Sequence, residues 1–309
     1  MKKIVPFILL IFIVAACCKS QETAEKKEVI MQTKREIPTV KLNNGVNMPQ
    51  LGVGTWTLKG DTAKENVREA LKAGFRLVDC AQGYGNEHEV GEGIRESGVP
   101  REEIFVTTKI APNIMREHKV AESIDESLEK LGTGYIDLLL IHWPVKDEIE
   151  VTWKIMEEYV KKGKVRSIGL SNFNPHHIDS LLQYAEIKPV INQIEIHPYM
   201  SQQEVAGQTF MRGIQVESWG PLGQGTNSVL NDPAVTALAE KYHKTPAQIV
   251  LRWDIERGLV TIPRALPEHF AENLAVLDFT LSAADIAILN GLNRNERTNE
   301  KNDPDSFPW

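Results

Sequence analysis

Four residues of types that could transfer a proton each follow an apolar run in this sequence. Asp79 ends the run FRLVD, and Tyr84 comes five residues later in the turn-forming segment AQGYGNE. Lys109 ends IFVTTK, and His142 ends IDLLLIH. An isolated aspartate and tyrosine at such positions would more often be a cap and a packing residue. Whether these residues are catalytic or structural therefore depends on the secondary-structure elements that position them.

The chemistry available to this set is proton donation to a carbonyl group. A phenol has an ordinary pKa of about 10, and a nearby cation favours the phenolate and lowers that pKa. Lys109 is the candidate cation, and Asp79 could hold its ammonium in place. His142 could orient a substrate carbonyl or share the proton. Such a set fits polarising a C=O group while a cofactor delivers hydride.

Short β-rich segments alternate with longer amphipathic segments from residue 38 onward. Eight strands are predicted, at 50–54, 75–79, 104–109, 136–142, 166–171, 190–196, 214–219 and 259–263. Helices are predicted at 65–74, 120–132, 151–163, 175–185, 201–213 and 246–258. Repeated β-then-α units predict a parallel sheet with right-handed crossovers. Eight units in an α/β chain fit a closed (β/α)8 TIM barrel, preceded by a β-hairpin whose Asn44-Gly45 pair predicts a type I′ turn.

The predicted barrel brings polar residues to one rim, because catalytic groups of such barrels lie at the C-terminal strand ends. A doubly wound open sheet is the alternative. It would usually carry a G-x-G-x-x-G motif, and neither 52–57 nor 220–225 has that spacing. The strand ends supply Asp79, Lys109, His142, Ser171 with Asn172, Gln193 with Glu195, Trp219 and Arg264.

The composition is that of an ordinary globular protein, and it argues against several function classes. The chain has 309 residues, a net charge of −7 and a pI of about 5.7, which does not favour a nucleic-acid binder. It contains no H-E-x-x-H, C-x-x-C, G-x-S-x-G or EF-hand motif, so neither a metal site nor a serine hydrolase is supported. With 3 cysteines in the chain, no disulfide framework is expected. Cys80 is predicted to be a small buried thiol.

The N-terminal residues resemble a secretion signal. Lys2 and Lys3 precede an apolar run that ends at residue 16. The run is too short to span a bilayer but fits the core of a signal peptide. The segment VAAC at 14–17 resembles a bacterial lipobox, so we predict a signal peptide over 1–16 and a lipidated Cys17. A plain signal peptide with incidental cysteines is the alternative.

The predicted domain organisation depends on this N-terminus. Residues 17–36 are polar and mixed in charge, and they predict a flexible tether that carries the lipid. The catalytic domain spans 37–309; without the first 36 residues, 28 basic and 38 acidic residues remain, a net charge of −10. The expected location is the cell envelope, with the lipid as the only membrane contact. A monomer without nucleic-acid partners is expected.

Seven motifs in register carry a resemblance that covers almost the whole chain from Pro38 onward. They are GVGTW (52–56), FRLVDCAQGYGNE (75–87), VTTK (106–109), LLLIHWP (138–144), GLSNFN (169–174), NQIEIHP (192–198) and PLGQG (221–225). Each motif alone is weak to moderate, but together they are specific. The sequence resembles the aldo-keto reductase superfamily, and bacterial members of the diketogluconate or methylglyoxal reductase kind in particular.

The resemblance implies a role for each matching position. It implies that Tyr84 is the general acid, that Lys109 and Asp79 lower its pKa, and that His142 orients the substrate. It implies cofactor contacts from Gly54, Thr55, Ser171, Asn172, Gln193, Trp219, Leu222, Arg264, Glu272 and Asn273. Among these, Trp219 occupies the place of an aromatic residue that stacks on the nicotinamide. Trp56 and Trp143 match apolar walls of the substrate pocket, and no metal is implied.

The segment TIPRALPEHFAEN at 261–273 departs from the family pattern. Family members that prefer NADPH commonly have a lysine where Arg264 stands, although arginine can also pair with a phosphate. Ala265 lacks the usual hydroxyl, and His269 stands where an arginine is usual. NADPH is therefore the expected cofactor, with NADH possible. Short loops over the pocket favour small aldehydes, ketoaldehydes or keto sugars as substrates.

The predicted lipid anchor leaves a second function class open. It would place the protein outside the cytoplasm, where reduced nicotinamide cofactors are scarce. A cofactor-binding sensor with little turnover is therefore the alternative to a reductase. A sugar-binding lipoprotein is a third hypothesis, but it would need neither Lys109 nor Tyr84.

Overall fold

A computed structural model describes residues 36–225 and 228–307, so the predicted signal peptide, Cys17 and the tether up to residue 35 lie outside the described residues. The strands are β1 (Thr39–Lys41), β2 (Asn47–Pro49), β3 (Val53–Gly54), β4 (Leu77–Asp79), β5 (Phe105–Ile110), β6 (Ile136–Ile141), β7 (Val165–Ser171), β8 (Ile191–Glu195), β9 (Gln215–Trp219) and β10 (Val260–Thr261). The helices are α1 (Gly60–Ala73), α2 (Glu87–Ser97), α3 (Pro112–Arg116), α4 (Val120–Leu131), α5 (Ile149–Lys161), α6 (Pro175–Leu181), α7 (Gln203–Met211), α8 (Pro233–Tyr242), α9 (Pro246–Glu256), α10 (Pro267–Leu274) and α11 (Ala283–Asn290).

Strands β3 to β10 form one parallel sheet of eight strands in sequential order. The sheet curls until its edges meet: Leu51, just before β3, pairs with Thr261 of β10. The N–H of Gly52 donates to the Thr261 carbonyl, and the Thr261 N–H donates to the Gln50 carbonyl, each at 3.0 Å. The eight predicted strands all correspond to strands of this sheet. The fold is α/β and is consistent with the predicted (β/α)8 barrel.

Side chains of the sheet strands alternate between two cores. On the outer face, Val78, Val106 and Leu139 pack with buried residues of the surrounding helices. The inner face contains a separate cluster beneath the predicted rim. Its strand members include Leu77, Phe105, Leu138 and Ile191, and its hairpin members are Leu42 and Met48. The N-terminal hairpin therefore fills one end of the curled sheet, while the other end receives the strand-end polar residues.

The hairpin of β1 and β2 is antiparallel as predicted, but its turn is not type I′. That turn requires a positive φ at both central residues, and of the pair Asn44-Gly45 only Gly45 has one, at 88°. The Asn44 side chain instead donates to Ser167 Oγ at 2.9 Å. A longer loop results, in which Leu42 and Val46 bond through the backbone at 2.9 Å. The longer loop and the contact of Asn44 with Ser167 of β7 therefore occur together.

The structure contains helices that the sequence analysis did not predict, namely α2, α3, α8, α10 and α11. In α2 the glycines interrupt the amphipathic pattern from which a helix is predicted. They allow neighbouring helices to pack closely against α2. A Cβ at Gly91 would lie 2.1 Å from the Leu131 carbonyl oxygen of α4, and one at Gly93 would lie 2.5 Å from the Lys64 carbonyl oxygen of α1.

None of the helices in the described ranges combines the length and the apolar character that a membrane span requires.

Two glycine-to-alanine substitutions in helices should change stability in opposite directions. Gly91→Ala forces a methyl group into a backbone carbonyl and should lower the free energy of unfolding by about 1–3 kcal/mol. Gly207→Ala in α7, where no atom lies within 4 Å of the added Cβ, should raise it by about 0.5–1 kcal/mol through helix propensity. Urea denaturation of both variants checks this. Equal stability of the two would contradict the packing of α2 against α4.

Candidate active site

A buried ion pair lies where β4 and β5 end. The Lys109 ammonium is 2.6 Å from Asp79 Oδ1, and both side chains are almost completely shielded from solvent. Lys109 also donates to the Cys80 carbonyl at 3.1 Å. Burial is the largest single effect and opposes the charge of Lys109, but the nearby acidic groups together, Asp79 first among them, outweigh it, so the pKa of Lys109 is raised. The lysine is therefore a fixed cation inside the sheet.

Tyr84 lies in the short 3-10 turn Gln82–Tyr84 directly after β4. Its phenol oxygen accepts a hydrogen bond from Lys109 Nζ at 3.4 Å. Burial raises the pKa of Tyr84 to about 12, although Lys109 acts in the opposite direction. Lys109 acts on the Tyr84 pKa in the expected direction, but burial outweighs it, and the charge of Asp79 raises this pKa instead of lowering it. Tyr84 stays fully protonated at neutral pH.

His142 follows β6 and meets Tyr84 edge to face, with ring centroids 5.8 Å apart. Burial, together with the charge of Lys109, lowers the pKa of His142 to about 3. The imidazole is therefore neutral at physiological pH. A neutral imidazole can hydrogen-bond a substrate oxygen without adding a second cation beside Lys109.

Glu217 belongs to this set although the sequence analysis did not single it out. It is fully buried in β9 and pairs with Gln193 of β8 in the sheet register. The Gln193 amide donates to Asp79 Oδ2 and to Glu217 Oε2, each at 2.8 Å. Burial, followed by the charge of Asp79, raises the pKa of Glu217 to about 8. The alternation of β9 could have revealed this residue, since it shares a face with Trp219.

Asn172, just after β7, connects several of the residues predicted to bind the cofactor. Its backbone is left-handed, with φ at 63°. Its side-chain amide donates to the His142 carbonyl at 3.0 Å and to Ser171 Oγ at 3.1 Å. Its oxygen accepts the indole N–H of Trp219 at 2.8 Å. The structure thus brings these predicted residues together, and half-buried Leu222 packs against the cores nearby.

The loop after β3 is tied to the Asp79 backbone. The Thr55 hydroxyl and N–H donate to the Asp79 carbonyl at 2.9 and 3.0 Å. The Gly54 N–H donates to the Pro263 carbonyl at 3.1 Å across the junction with β10. Buried Asn86, which the sequence analysis also did not single out, donates to the Thr55 carbonyl at 2.9 Å. Gly54 and Thr55 therefore lie at the same rim as the ion pair.

The residues predicted to bind the phosphate and adenine differ in their surroundings. Arg264 is exposed and donates to Thr57 Oγ1 at 2.9 Å. Glu272 accepts the hydroxyl of Thr245, which caps α9, so its carboxylate already has a structural partner. Asn273 is buried, and its Nδ2 has no hydrogen-bond partner among the described residues. Arg264 and Asn273 thus offer donors to a ligand, while Glu272 shares its oxygens with the fold.

Trp56 and Trp143, the two predicted walls of the substrate pocket, differ in their exposure to solvent. Trp56 is 47% exposed. Trp143 is buried and stacks on Phe307, with ring centroids 3.8 Å apart. The C-terminal segment therefore reaches the site, and Glu195 Oε1 is part of its attachment because it accepts the Thr298 N–H at 2.6 Å.

One group of side chains within the described ranges lies close enough to share a metal ion: His176, His177 and Asp305. His177 Nδ1 accepts the Asn174 N–H at 3.2 Å and completes a capping box at the start of α6. The proton of a neutral His177 therefore lies on Nε2, which is 3.4 Å from Asp305. That nitrogen donates to the carboxylate and has no lone pair for a metal. This group ties the C-terminal segment to α6.

Cys80 is a fully buried free thiol, as predicted. Its Sγ donates to the Thr107 carbonyl at 3.2 Å. Burial raises the pKa of Cys80 well above its ordinary value. A protonated, enclosed thiol is a poor nucleophile, so Cys80 is not a candidate for covalent chemistry in this site.

The chain matches a known family over most of its length. Residues 50–294 match the sequence profile described as the aldo/keto reductase family. The chain is 46% identical over 261 residues to the glyoxal reductase of Bacillus subtilis, which covers 84% of this chain and 94% of that protein. It is 42% identical over 275 residues to methylglyoxal reductase DkgA of Escherichia coli, covering 87% and 98%.

A solved structure shows the same fold with a cofactor bound. The aldo-keto reductase of Bombyx mori in complex with NADP superposes with a TM-score of 0.82 at 37% identity, covering 89% of this chain and 98% of that one. The sequence resemblance, the strand order and the relatives agree. The chain therefore belongs to the aldo/keto reductase family and is an oxidoreductase.

Proposed function

We propose that the protein reduces small aldehydes and ketoaldehydes of the glyoxal and methylglyoxal class to alcohols, with NADPH as the hydride donor. The observation that carries this proposal is the buried contact of Asp79, Lys109 and Tyr84. The names of the Bacillus subtilis and Escherichia coli relatives support the substrate class. Keto sugars are the next class that the predicted open pocket would admit.

The residues present fit a nicotinamide cofactor. The buried, unpartnered Nδ2 of Asn273 offers a donor to an adenine ring, and the exposed guanidinium of Arg264 suits a phosphate. Ser171, Asn172 and Gln193 would hold the nicotinamide carboxamide, and Trp219 would pack on the ring. A bound reduced nicotinamide supplies hydride to the carbonyl carbon.

The chain's own part in the reaction is to orient the carbonyl and protonate its oxygen. The substrate oxygen would accept hydrogen bonds from the Tyr84 hydroxyl and from neutral His142. As negative charge develops on that oxygen, Tyr84 gives up its proton. The phenolate that forms lies beside the Lys109 ammonium, whose charge offsets part of the cost of burying it. Asp79 keeps the ammonium in position throughout.

We place the catalytic part in a (β/α)8 barrel over 37–309 and a signal peptide over 1–16, with a lipid on Cys17 and a tether to residue 36. This assigns the protein to the cell envelope as a lipid-anchored monomer. The cofactor-sensor alternative is not favoured, because sensing alone gives no reason for a buried Lys109 ammonium beside a Tyr84 phenol.

Replacing the proton donor should abolish most of the reductase activity. Purified full-length protein should oxidise NADPH in the presence of glyoxal or methylglyoxal, measured by absorbance. Tyr84→Phe keeps the ring but removes the proton, so kcat should fall by about 10²–10⁴-fold. NADPH affinity, measured by tryptophan quenching, should stay unchanged. A Tyr84→Phe variant with full activity would refute the assignment, and absence of wild-type turnover alongside tight NADPH binding would favour the sensor.

Cofactor preference should depend on Arg264. Arg264→Gln removes a charge-assisted hydrogen bond to the 2′-phosphate, a loss of about 1.5–3 kcal/mol. The KM for NADPH should therefore rise roughly 10- to 100-fold, while the KM for NADH, which lacks that phosphate, should change little. Parallel titrations with both cofactors measure the split. An equal rise for both would show that Arg264 does not discriminate between them.

The lipid anchor can be tested with two adjacent cysteines. In cells fed radioactive palmitate, the wild-type protein and Cys18→Ala should be labelled, whereas Cys17→Ala should not. The lipobox places the acceptor at residue 17, and Cys18 is a matched control of the same chemistry one residue away. Label that persists in Cys17→Ala would exclude this attachment site.

A further inference from the structure

The carboxyl groups of Asp79 and Glu217 share a single amide inside the curled sheet. Gln193 has two amide hydrogens, and each is directed to one carboxyl oxygen at 2.8 Å. All three side chains are buried, with 1% or less of each residue exposed. The orientation of Gln193 is therefore fixed by both acids together.

Glu217 lies in a setting that disfavours a negative charge. The charged groups acting on it are Asp79 of β4 and Lys109 of β5, and its register partner on β10 is the apolar Val260. Lys109 already neutralises Asp79 at 2.6 Å. Glu217 Oε1 has no hydrogen-bond partner among the described residues. An ionised Glu217 would thus be a second buried carboxylate without a cation of its own.

We propose that Glu217 is a positioning residue whose proton keeps the buried set neutral while Tyr84 donates its own, and whose contact with Gln193 holds Asp79 and Lys109 in place. The inference rests on the proposed function, because it concerns the same proton transfer. It assigns a role to a strand residue that does not touch the substrate. Glu217 acts through its hydrogen bond with Gln193 and through its own state of charge.

The rate of carbonyl reduction should fall as the pH rises and Glu217 ionises. Burial and Asp79 raise the pKa of Glu217 to about 8, so it is neutral below that pH and negative above it. A negative Glu217 opposes formation of the Tyr84 phenolate. The kcat/KM for carbonyl reduction should therefore fall on the order of three- to tenfold as Glu217 ionises. Tyr84 has its pKa at about 12 and contributes no fall in this range.

The experiment compares pH profiles of two carboxyl-to-amide variants in the full-length protein with NADPH and methylglyoxal. Wild type should lose kcat/KM around pH 8, and Glu217→Gln should not. Asp254→Asn is the matched control, since Asp254 is also fully buried in α9, has its pKa raised to about 7 by burial, and bonds Thr261 instead of the site. Its profile should keep the wild-type fall.

A stability measurement tests the same proton without substrate. The folded protein retains the Glu217 proton between its ordinary pKa and about 8, whereas the unfolded chain releases it. Wild-type stability is therefore lost as pH rises through that window. The melting temperature of Glu217→Gln minus that of wild type should increase by at least about 2 °C from pH 5 to pH 8.

Turnover by wild type without a fall of kcat/KM near pH 8 would overturn the role of Glu217. If Glu217→Gln does not accumulate as folded protein, Glu217→Met, which keeps the volume without a titrating group, carries the same prediction. Turnover by wild type with a fall near pH 8 that persists in the Glu217 variants would overturn the inference and leave the proposed function intact. Loss of the fall in Asp254→Asn as well would also overturn it. Absence of any wild-type turnover would overturn both.

Discussion

The rest of this site depends on the burial of one ammonium group. An unpaired lysine inside a protein would lose its charge or destabilise the fold, and Lys109 is completely enclosed. Asp79 at 2.6 Å and the Cys80 carbonyl at 3.1 Å make that burial tolerable. Both partners lie where β4 ends, so β4 and β5 must pair in one register. That register also sets the start of the turn that carries Tyr84, and a strand shift of one residue would separate the acid from its cation.

The two-residue period of a strand explains how one sheet makes both a core and a site. Within β4, Leu77 faces the hairpin core while Asp79, two residues on, faces the same interior at the rim. In β8, Ile191 and Gln193 repeat this arrangement. The apolar layer excludes water beneath the polar layer. This lowers the dielectric around Lys109, so the same packing that stabilises the fold strengthens the field in which a proton is transferred.

Sequence reasoning recovered the features that local pattern determines and missed those that tertiary packing determines. The strands are short apolar runs with polar ends, and this signal gave their order and the strand-end residues Asp79 and Lys109. The family came from the resemblance of seven motifs. Helix α2 was not predicted, because Gly91 interrupts its amphipathic pattern. That glycine is needed for the close contact of α2 with α4. The sign of the Tyr84 pKa shift was not predicted, because a neighbouring cation can be inferred from a sequence, whereas the degree to which Tyr84 is buried cannot. The functional roles of these side chains stay predictions.

Counting charges in the buried set explains why the site tolerates so many ionisable groups. Asp79 and Lys109 cancel, and His142 is neutral because its pKa is about 3. Tyr84 holds its proton, so at neutral pH the set has no net charge as long as Glu217 is protonated. In the proposed reaction, donation by Tyr84 would add one negative charge to these side chains, next to a cation that cannot move away. The site thus keeps its electrostatic stabilisation for the moment of proton transfer, which is the condition under which a buried field lowers a barrier instead of the ground state.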